Sequence, residues 1–192
     1  MFLKDSDLVI RDAVFDDIDK LCEWWADGKV MAHAGFPNGV ETDRELLKGK
    51  IANGSDLTGR RLIIEIDGKR VGEMSYSMTG DQAAFMSSES TGEDNSDAHS
   101  TKRAEIGIKI CDFDYQERGY GTRALKLLIG ALFELGAEKI YLSTNLNNKR
   151  AQHVYEKIGF KKVRVNTDSW KDQLGIPQSS VDYEMFREPF RE

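Results

Sequence analysis

AEIGIKICDFDYQERGYGTRALKLLIGALFELGAEKIYLST, residues 104–144, runs in the order strand, glycine loop, helix, strand. Ile106, Ile108 and Ile110 alternate with Glu105, Gly107 and Lys109, the period-two pattern of a strand with one apolar face. The loop Gln116-Glu117-Arg118-Gly119-Tyr120-Gly121-Thr122 follows. A helix then passes through Ala124, Leu125, Leu127, Leu128, Ala131, Leu132 and Leu135 and closes at Gly136, a residue type suited to a left-handed C-terminal cap. Residues 139–144, KIYLST, read as a buried strand, which completes a βαβ unit with an expected right-handed crossover. A glycine loop that opens a helix turns several backbone N–H groups toward one point, where the helix dipole also favours negative charge. A phosphate or pyrophosphate is the natural occupant. Glycine suits such a loop because a side chain would block close approach.

Upstream, residues 8–11 form a short apolar strand, and Asp16 and Asp17 suit the start of a helix carrying Ile18, Leu21, Trp24 and Trp25. Adjacent tryptophans cannot both face one way, so one packs in the core while the other faces a groove or a second helix. AGFPNG, 34–39, has loop punctuation. Thr42, with Glu45 three residues on, predicts a capping box for a second helix that ends near Asn53-Gly54. RLIIEID (61–67) and KRVGEMSYSM (69–78) meet at Asp67-Gly68, the signature of a hairpin with a tight turn. The stretch 80–102 is rich in Ser, Gly, Asp and Glu and is expected to be a flexible insertion, because strand signals resume directly after it.

Composition narrows the class. The chain has 192 residues, 40% hydrophobic and 31% charged, enough for one domain with decoration and unlike a disordered or collagen-like chain. Its 27 basic against 33 acidic side chains leave a net charge of -6, which opposes general attraction to nucleic acid. Cys22 and Cys111 form no CxxC pair and no disulfide framework, so a reduced, cytoplasmic setting is expected. The N-terminus has charges and no signal-like apolar core. The longest apolar run, 124–135, is broken by Lys126 and Glu134 and falls short of the roughly 20 residues that span a bilayer, so no membrane partner is expected. His33, His99 and His153 are too scattered to suggest a metal cluster.

Downstream of the βαβ unit, residues 148–160 read NKRAQHVYEKIGF. Asn148 and Tyr155 are seven residues apart, two helical turns, and so face one side of that helix. At this point the chain resembles the GNAT superfamily of acyl-CoA-dependent N-acetyltransferases. QERGYG (116–121) is similar to the family's Q/R-x-x-G-x-G/A loop, and 148–160 to its N-x-x-A-x-x-x-Y-x-x-x-G-F segment. Both motifs occur in order, with a helix and a strand between them. The first strand, the two N-terminal helices, the hairpin and a final strand at 181–186 extend the resemblance over 8–187, read as one acetyltransferase domain. The tryptophan-bearing first helix and the closing VDYEMF resemble the RimJ/RimL branch, whose members acetylate protein N-termini and small amines.

The resemblance implies an α/β (α+β) fold: a mixed, strongly twisted sheet of about six to seven strands flanked by helices. It also implies a V-shaped splay between the fourth and fifth strands, those at 104–111 and 139–144. It implies acetyl-CoA as cosubstrate, with no metal. Backbone groups of Lys109, Ile110 and Cys111 would pair with the pantetheine arm. Gln116, Glu117, Arg118, Gly119, Tyr120, Gly121 and Thr122 would hold the pyrophosphate, and Asn148 would contact the cofactor. Arg118 and Arg123 would add charge, with a solvated surface role equally open for Arg123. Tyr155 would donate a proton to the departing sulfur, and a backbone N–H within 108–110 would stabilise the oxyanion.

The general base is open. Some relatives carry a glutamate five residues before the Asn, where this chain has Ser143. Glu105 and Glu73 are the candidates, and each also reads as a solvent-facing strand residue. His153, offset by two from Tyr155, points to another helix face. The acceptor would be a small-molecule amine or a peptide N-terminus, bound by the N-terminal helices, the 34–39 loop, the hairpin and the segment around 170–180. The protein would be a monomer or homodimer. A non-catalytic acyl-CoA or CoA sensor of the same fold is the alternative. A dinucleotide-dependent oxidoreductase does not fit, because only one short GxG is present.

Overall fold

A computed structural model describes residues 1–79 and 102–187. Apart from Lys102, the expected insertion at 80–102 lies outside the described residues. The strands are β1 (Phe2–Asp5), β2 (Leu8–Asp12), β3 (Gly59–Ile66), β4 (Lys69–Thr79), β5 (Arg103–Ile110), β6 (Lys139–Asn145), β7 (Lys161–Lys171) and β8 (Pro177–Phe186). They form one sheet in the order β1-β2-β3-β4-β5-β6-β8-β7. Every neighbouring pair is antiparallel except β5 and β6.

The sheet therefore has eight strands, two more than the six strand segments legible in the sequence. The additional ones, β1 and β7, are its two edges. An edge strand has less apolar surface to bury, and its alternation is weak for that reason. In β7, Val163 and Val165 remain 55% and 47% exposed.

Asp67 and Gly68 have φ of 50° and 77°, the left-handed pair that a two-residue turn between twisted strands requires. The helices are α1 (Ile18–Ala26), α2 (Gly28–Met31), α3 (Arg44–Ala52), α4 (Tyr120–Glu134) and α5 (Lys149–Lys157). The cap of α3 is Asp43 and not Thr42: its carboxylate accepts from the amides of Glu45 and Leu46 at 2.9 and 3.1 Å. A carboxylate one residue later reaches the free amides of the first turn, and no capping box with Glu45 forms.

The pleat sends alternate residues to opposite faces. On one face Leu8, Ile10, Leu62, Ile64, Met74 and Ile106 pack with Leu125, Leu128 and Leu132 of α4. Each such fully buried side chain contributes roughly 1.5–3 kcal/mol. On the other face Ile63 and Cys111 meet Ile18, Leu21, Trp24 and Leu47 of α1 and α3. Trp24 is the core tryptophan. Trp25 turns instead to the sheet and donates its indole N–H to Glu73.

The crossover β5-α4-β6 positions the site. β5 and β6 pair only at Arg103, Ala104 and Glu105 with Lys139, Ile140 and Tyr141. Beyond those residues the two strands have no ladder between them, and a cleft opens.

Candidate active site

A cavity of about 700 Å³ occupies that cleft. Its walls include Ile106, Ile108 and Ile110 of β5, Ser143 and Thr144 of β6, Gln116, Gly119 and Thr122 of the glycine loop, and Asn148 and Tyr155 of α5. The two sequence motifs, distant in the chain, thus share one concavity.

The β5 wall presents main-chain groups. The Cys111 amide donates to the Val71 carbonyl at 2.9 Å, which fixes the direction of Cys111 toward β4. Successive residues of a strand point their N–H and C=O to opposite sides. Ile110 and Ile108 therefore face the cleft, as the bond from Gln116 Nε2 to the Ile110 carbonyl at 2.8 Å corroborates. Of the expected trio, Ile110 alone turns its main chain to the cavity. Lys109 and Cys111 direct theirs to β4, because they sit at the alternate register positions, and Ile108 takes their place. Burial, followed by the charge of Glu73, pushes the Cys111 thiol up to about 12.

The glycine loop reaches α4 through two left-handed residues, Glu117 at φ 60° and Gly119 at φ 82°. Gly119 is the N-terminal cap of α4, and a Cβ there would meet no atom within 4 Å. Glycine is demanded by the backbone angle, while the space beside it stays open toward the cavity. Glu117, Gly121 and Thr122 also line the wall, and Arg150 joins them from the first turn of α5, 3.3 Å from Glu117.

Arg118 and Tyr120 lie off the wall. The Arg118 guanidinium sits 6.0 Å from the Tyr115 ring, which also packs on Tyr120. Arg123 is tied to Asp5 at 2.9 Å and Asp7 at 2.8 Å, so it holds the β1–β2 turn against α4.

Tyr155 is buried, with its ring packed against Phe160 and Tyr183 at centroid distances of 5.9 and 5.8 Å. Burial pushes its phenol up to about 12, so the hydroxyl keeps its proton at neutral pH. Asn148 caps α5, its Oδ1 accepting from the Ala151 amide at 3.2 Å, and this cap sets the height of Tyr155 two turns later.

The two carboxylates stand apart from the cavity wall. Glu73, 1% exposed, is enclosed by Trp25 Nε1 at 2.7 Å, Lys109 Nζ at 3.2 Å and Arg61. Burial works to raise its carboxyl, but the charges of Arg61 and Lys109 and the indole N–H outweigh it, and the net shift is downward. It is not the solvent-facing residue that strand alternation allowed. Glu105 is exposed on β5, opposite its register partner Tyr141 of β6. His153 is also exposed, on the outer side of α5.

The far wall holds residues that no motif marked: Lys29 and Val30 of α2, His33 and Ala34 of the following 3-10 turn, and Trp170 and Ser180 of β7 and β8. The sequence pointed to this region only broadly, through the N-terminal helices, the 34–39 loop and the segment around 170–180. Among the described residues, no group of three His, Cys, Asp or Glu is placed to hold a metal, and no helix is long and apolar enough to cross a membrane.

Residues 7–161 match the family model described as the acetyltransferase (GNAT) domain, and the chain belongs to that family. It is 33% identical over 106 residues to spermidine N(1)-acetyltransferase of Escherichia coli (strain K12), which covers 55% of this chain and 47% of that protein. The chain thus matches about half the length of that relative. Among solved structures it is similar to RimL, a ribosomal L7/L12 alpha-N-protein acetyltransferase in complex with coenzyme A (TM-score 0.75, 14% identity, 97% of this chain and 98% of that one). It is also similar to spermidine N-acetyltransferase from Vibrio cholerae in complex with CoA and spermine (TM-score 0.73, 18% identity, 95% and 96%).

Proposed function

We propose that this chain is an acetyl-CoA-dependent N-acetyltransferase that moves an acetyl group to a primary amine. One observation carries the reading: a glycine-capped helix N-terminus and a buried tyrosine line the same cleft between two splayed parallel strands. The residues fit the cosubstrate. Amides at 116–122 and Arg150 suit its phosphates, the open space at Gly119 gives them room, and the outward-facing main chain of Ile108 and Ile110 suits an amide-bearing arm. Acetyl-CoA supplies an activated thioester.

The chain's residues supply the rest. The Ile108 and Ile110 N–H groups face the cleft where a carbonyl oxygen gains charge, so they are the candidate oxyanion donors. Tyr155 holds its proton at neutral pH and gives it to the sulfur as the C–S bond breaks. The acceptor is a small amine or a peptide N-terminus, the chemistry named for the spermidine and RimL enzymes. The tryptophan-bearing first helix and the closing VDYEMF at 181–186 resemble the RimJ/RimL branch, while a solved spermidine N-acetyltransferase matches this chain's fold to a similar degree.

The test is thiol release from acetyl-CoA with a panel of polyamines, amino acids and N-terminal peptides, with product mass as a second readout. Amine-dependent release matched by a 42-dalton gain in the acceptor (about the mass of an acetyl group replacing hydrogen) is expected for transfer by this site. Tight acetyl-CoA binding with no release for any amine would instead favour a sensor.

A further inference from the structure

The cavity has a wall formed by the turn after α2 and by β7 and β8, and one of its side chains has acid–base chemistry still without a role. His33 sits on the 3-10 turn Ala32–Ala34, and it lines the same cavity as Tyr155, Ser143 and Trp170. The turn is held from across the sheet. The Gln173 amide donates to the Gly35 carbonyl at 2.8 Å, Gln173 Oε1 accepts from the Asn38 amide at 2.9 Å, and Gln173 Nε2 donates to the Gly39 carbonyl at 3.0 Å. Gly35 has φ 92°, and a Cβ there would lie 2.2 Å from the Trp170 ring, so the turn seats directly on the tip of the β7–β8 hairpin. From the other side, the Val40 amide donates to the Trp25 carbonyl at 2.7 Å. An exposed histidine is thereby fixed on a clamped segment at the mouth of the cleft.

Resting on the acetyl-transfer reading, we infer that His33 is the general base for the acceptor amine. Glu73 is enclosed by Arg61, Lys109 and Trp25, and Glu105 lies off the cavity wall. The charged neighbours on the wall are Lys29, Lys109, Glu117 and Arg150. Imidazole is the side chain whose unperturbed titration falls near neutrality, which suits removal of a proton from an alkylammonium or from the nitrogen as it attacks. The lone pair of an imidazole nitrogen takes that proton. The amine lone pair forms the N–C bond to the thioester carbonyl, and the carbonyl π electrons move to oxygen. On collapse the C–S bond breaks, its electron pair stays on sulfur, and Tyr155 supplies the proton. The ammonium gives its first proton to solvent and the attacking nitrogen gives its second to His33. Solvent then takes the proton from His33 and returns one to Tyr155, so acetyl-CoA and an ammonium become an amide, free CoA and one proton.

The experiment measures kcat/KM against pH for wild type, His33→Gln and His33→Ala, with acetyl-CoA binding followed by calorimetry. The inference expects a loss of about 100-fold in kcat/KM at pH 7 for both variants. It also expects unchanged acetyl-CoA affinity, a rate that keeps rising with hydroxide, and partial rescue of His33→Ala by added imidazole. A role in loop placement alone would shift acceptor KM and leave the pH profile in place. Either that result or a wild-type rate in His33→Gln would overturn the inference while leaving acetyl transfer standing. Absence of turnover in wild type with every amine would overturn the transfer reading and this inference together.

Discussion

Trp25 Nε1 donates to Glu73 Oε1 across 2.7 Å and thereby fastens the first helix to the middle of the sheet. The carboxylate is shared with Arg61 and Lys109, and the Arg61 guanidinium also stacks 4.9 Å from the Trp25 ring. Lys109 belongs to β5, the strand whose next residue turns its main chain into the cleft. The network therefore links α1, β3, β4 and β5 at the point where the cofactor arm is proposed to lie.

Glu73→Gln keeps the shape and removes the charge, leaving two cations beside a neutral amide. Loss of one partner from a buried ion pair costs about 3 kcal/mol, and the urea midpoint should fall accordingly. Turnover per folded molecule should stay within a few-fold of wild type. An unchanged midpoint together with abolished turnover would return Glu73 to the list of catalytic bases.

Acid should destabilise the protein through the same group. The carboxyls of Glu73 and Asp17 are both held below their usual values of 4.5 and 3.8. For Asp17, burial opposes the shift, and the Arg11 guanidinium and the Val14 amide overcome it. A carboxyl depressed in the folded state binds protons more readily when unfolded. Its stabilisation is complete above the unfolded value and is lost as pH falls through the folded one. Urea unfolding between pH 7 and pH 3 should show constant stability down to about pH 5 and a progressive decline below it. A flat profile would contradict the burial of these charges.

Gly119→Ala separates backbone strain from ligand space. A Cβ at φ 82° costs on the order of 1 kcal/mol of stability even though it meets no neighbour. Acetyl-CoA affinity should fall about ten-fold or more, beyond what the strain explains, because the methyl group projects where the phosphates are proposed to sit. Calorimetry and thermal unfolding on one sample read both. Intact affinity would move the phosphates elsewhere.

Gln173→Ala should release the 34–39 loop. Two side-chain bonds are lost, at a cost of about 1 kcal/mol in stability. Acceptor KM should rise several-fold while acetyl-CoA affinity holds, which steady-state kinetics with each substrate varied in turn would show. Equal effects on both substrates would mean that the loop does not belong to the acceptor side.

Much of this was legible in the sequence where one residue type has one physical job. Asp67-Gly68 announced its turn, Gly136 the left-handed end of its helix, and the isoleucine alternation of β5 its apolar face. What stayed hidden depends on long-range placement. Thr42 and Asp43 are both good caps, and only the path of the chain decides between them. β7 carries its two valines on an exposed edge and so lacks the alternation of a half-buried strand. Glu73 sits at an alternating position like any outward strand residue, and only the arrival of Trp25, Arg61 and Lys109 makes it a buried ion. His33 carries no motif, and its relation to Tyr155 comes from a turn fastened by Gln173, well over a hundred residues later in the chain.

We propose that the buried hydroxyl of Tyr155 completes acetyl transfer in a cleft that binds acetyl-CoA without it. The decisive measurement is thiol release by Tyr155→Phe beside wild type, with acetyl-CoA affinity measured on the same preparations. The expected result is a fall in kcat of one or more orders of magnitude, about the contribution of a positioned general acid, with affinity unchanged. A Tyr155→Phe variant that turns over at the wild-type rate would contradict it.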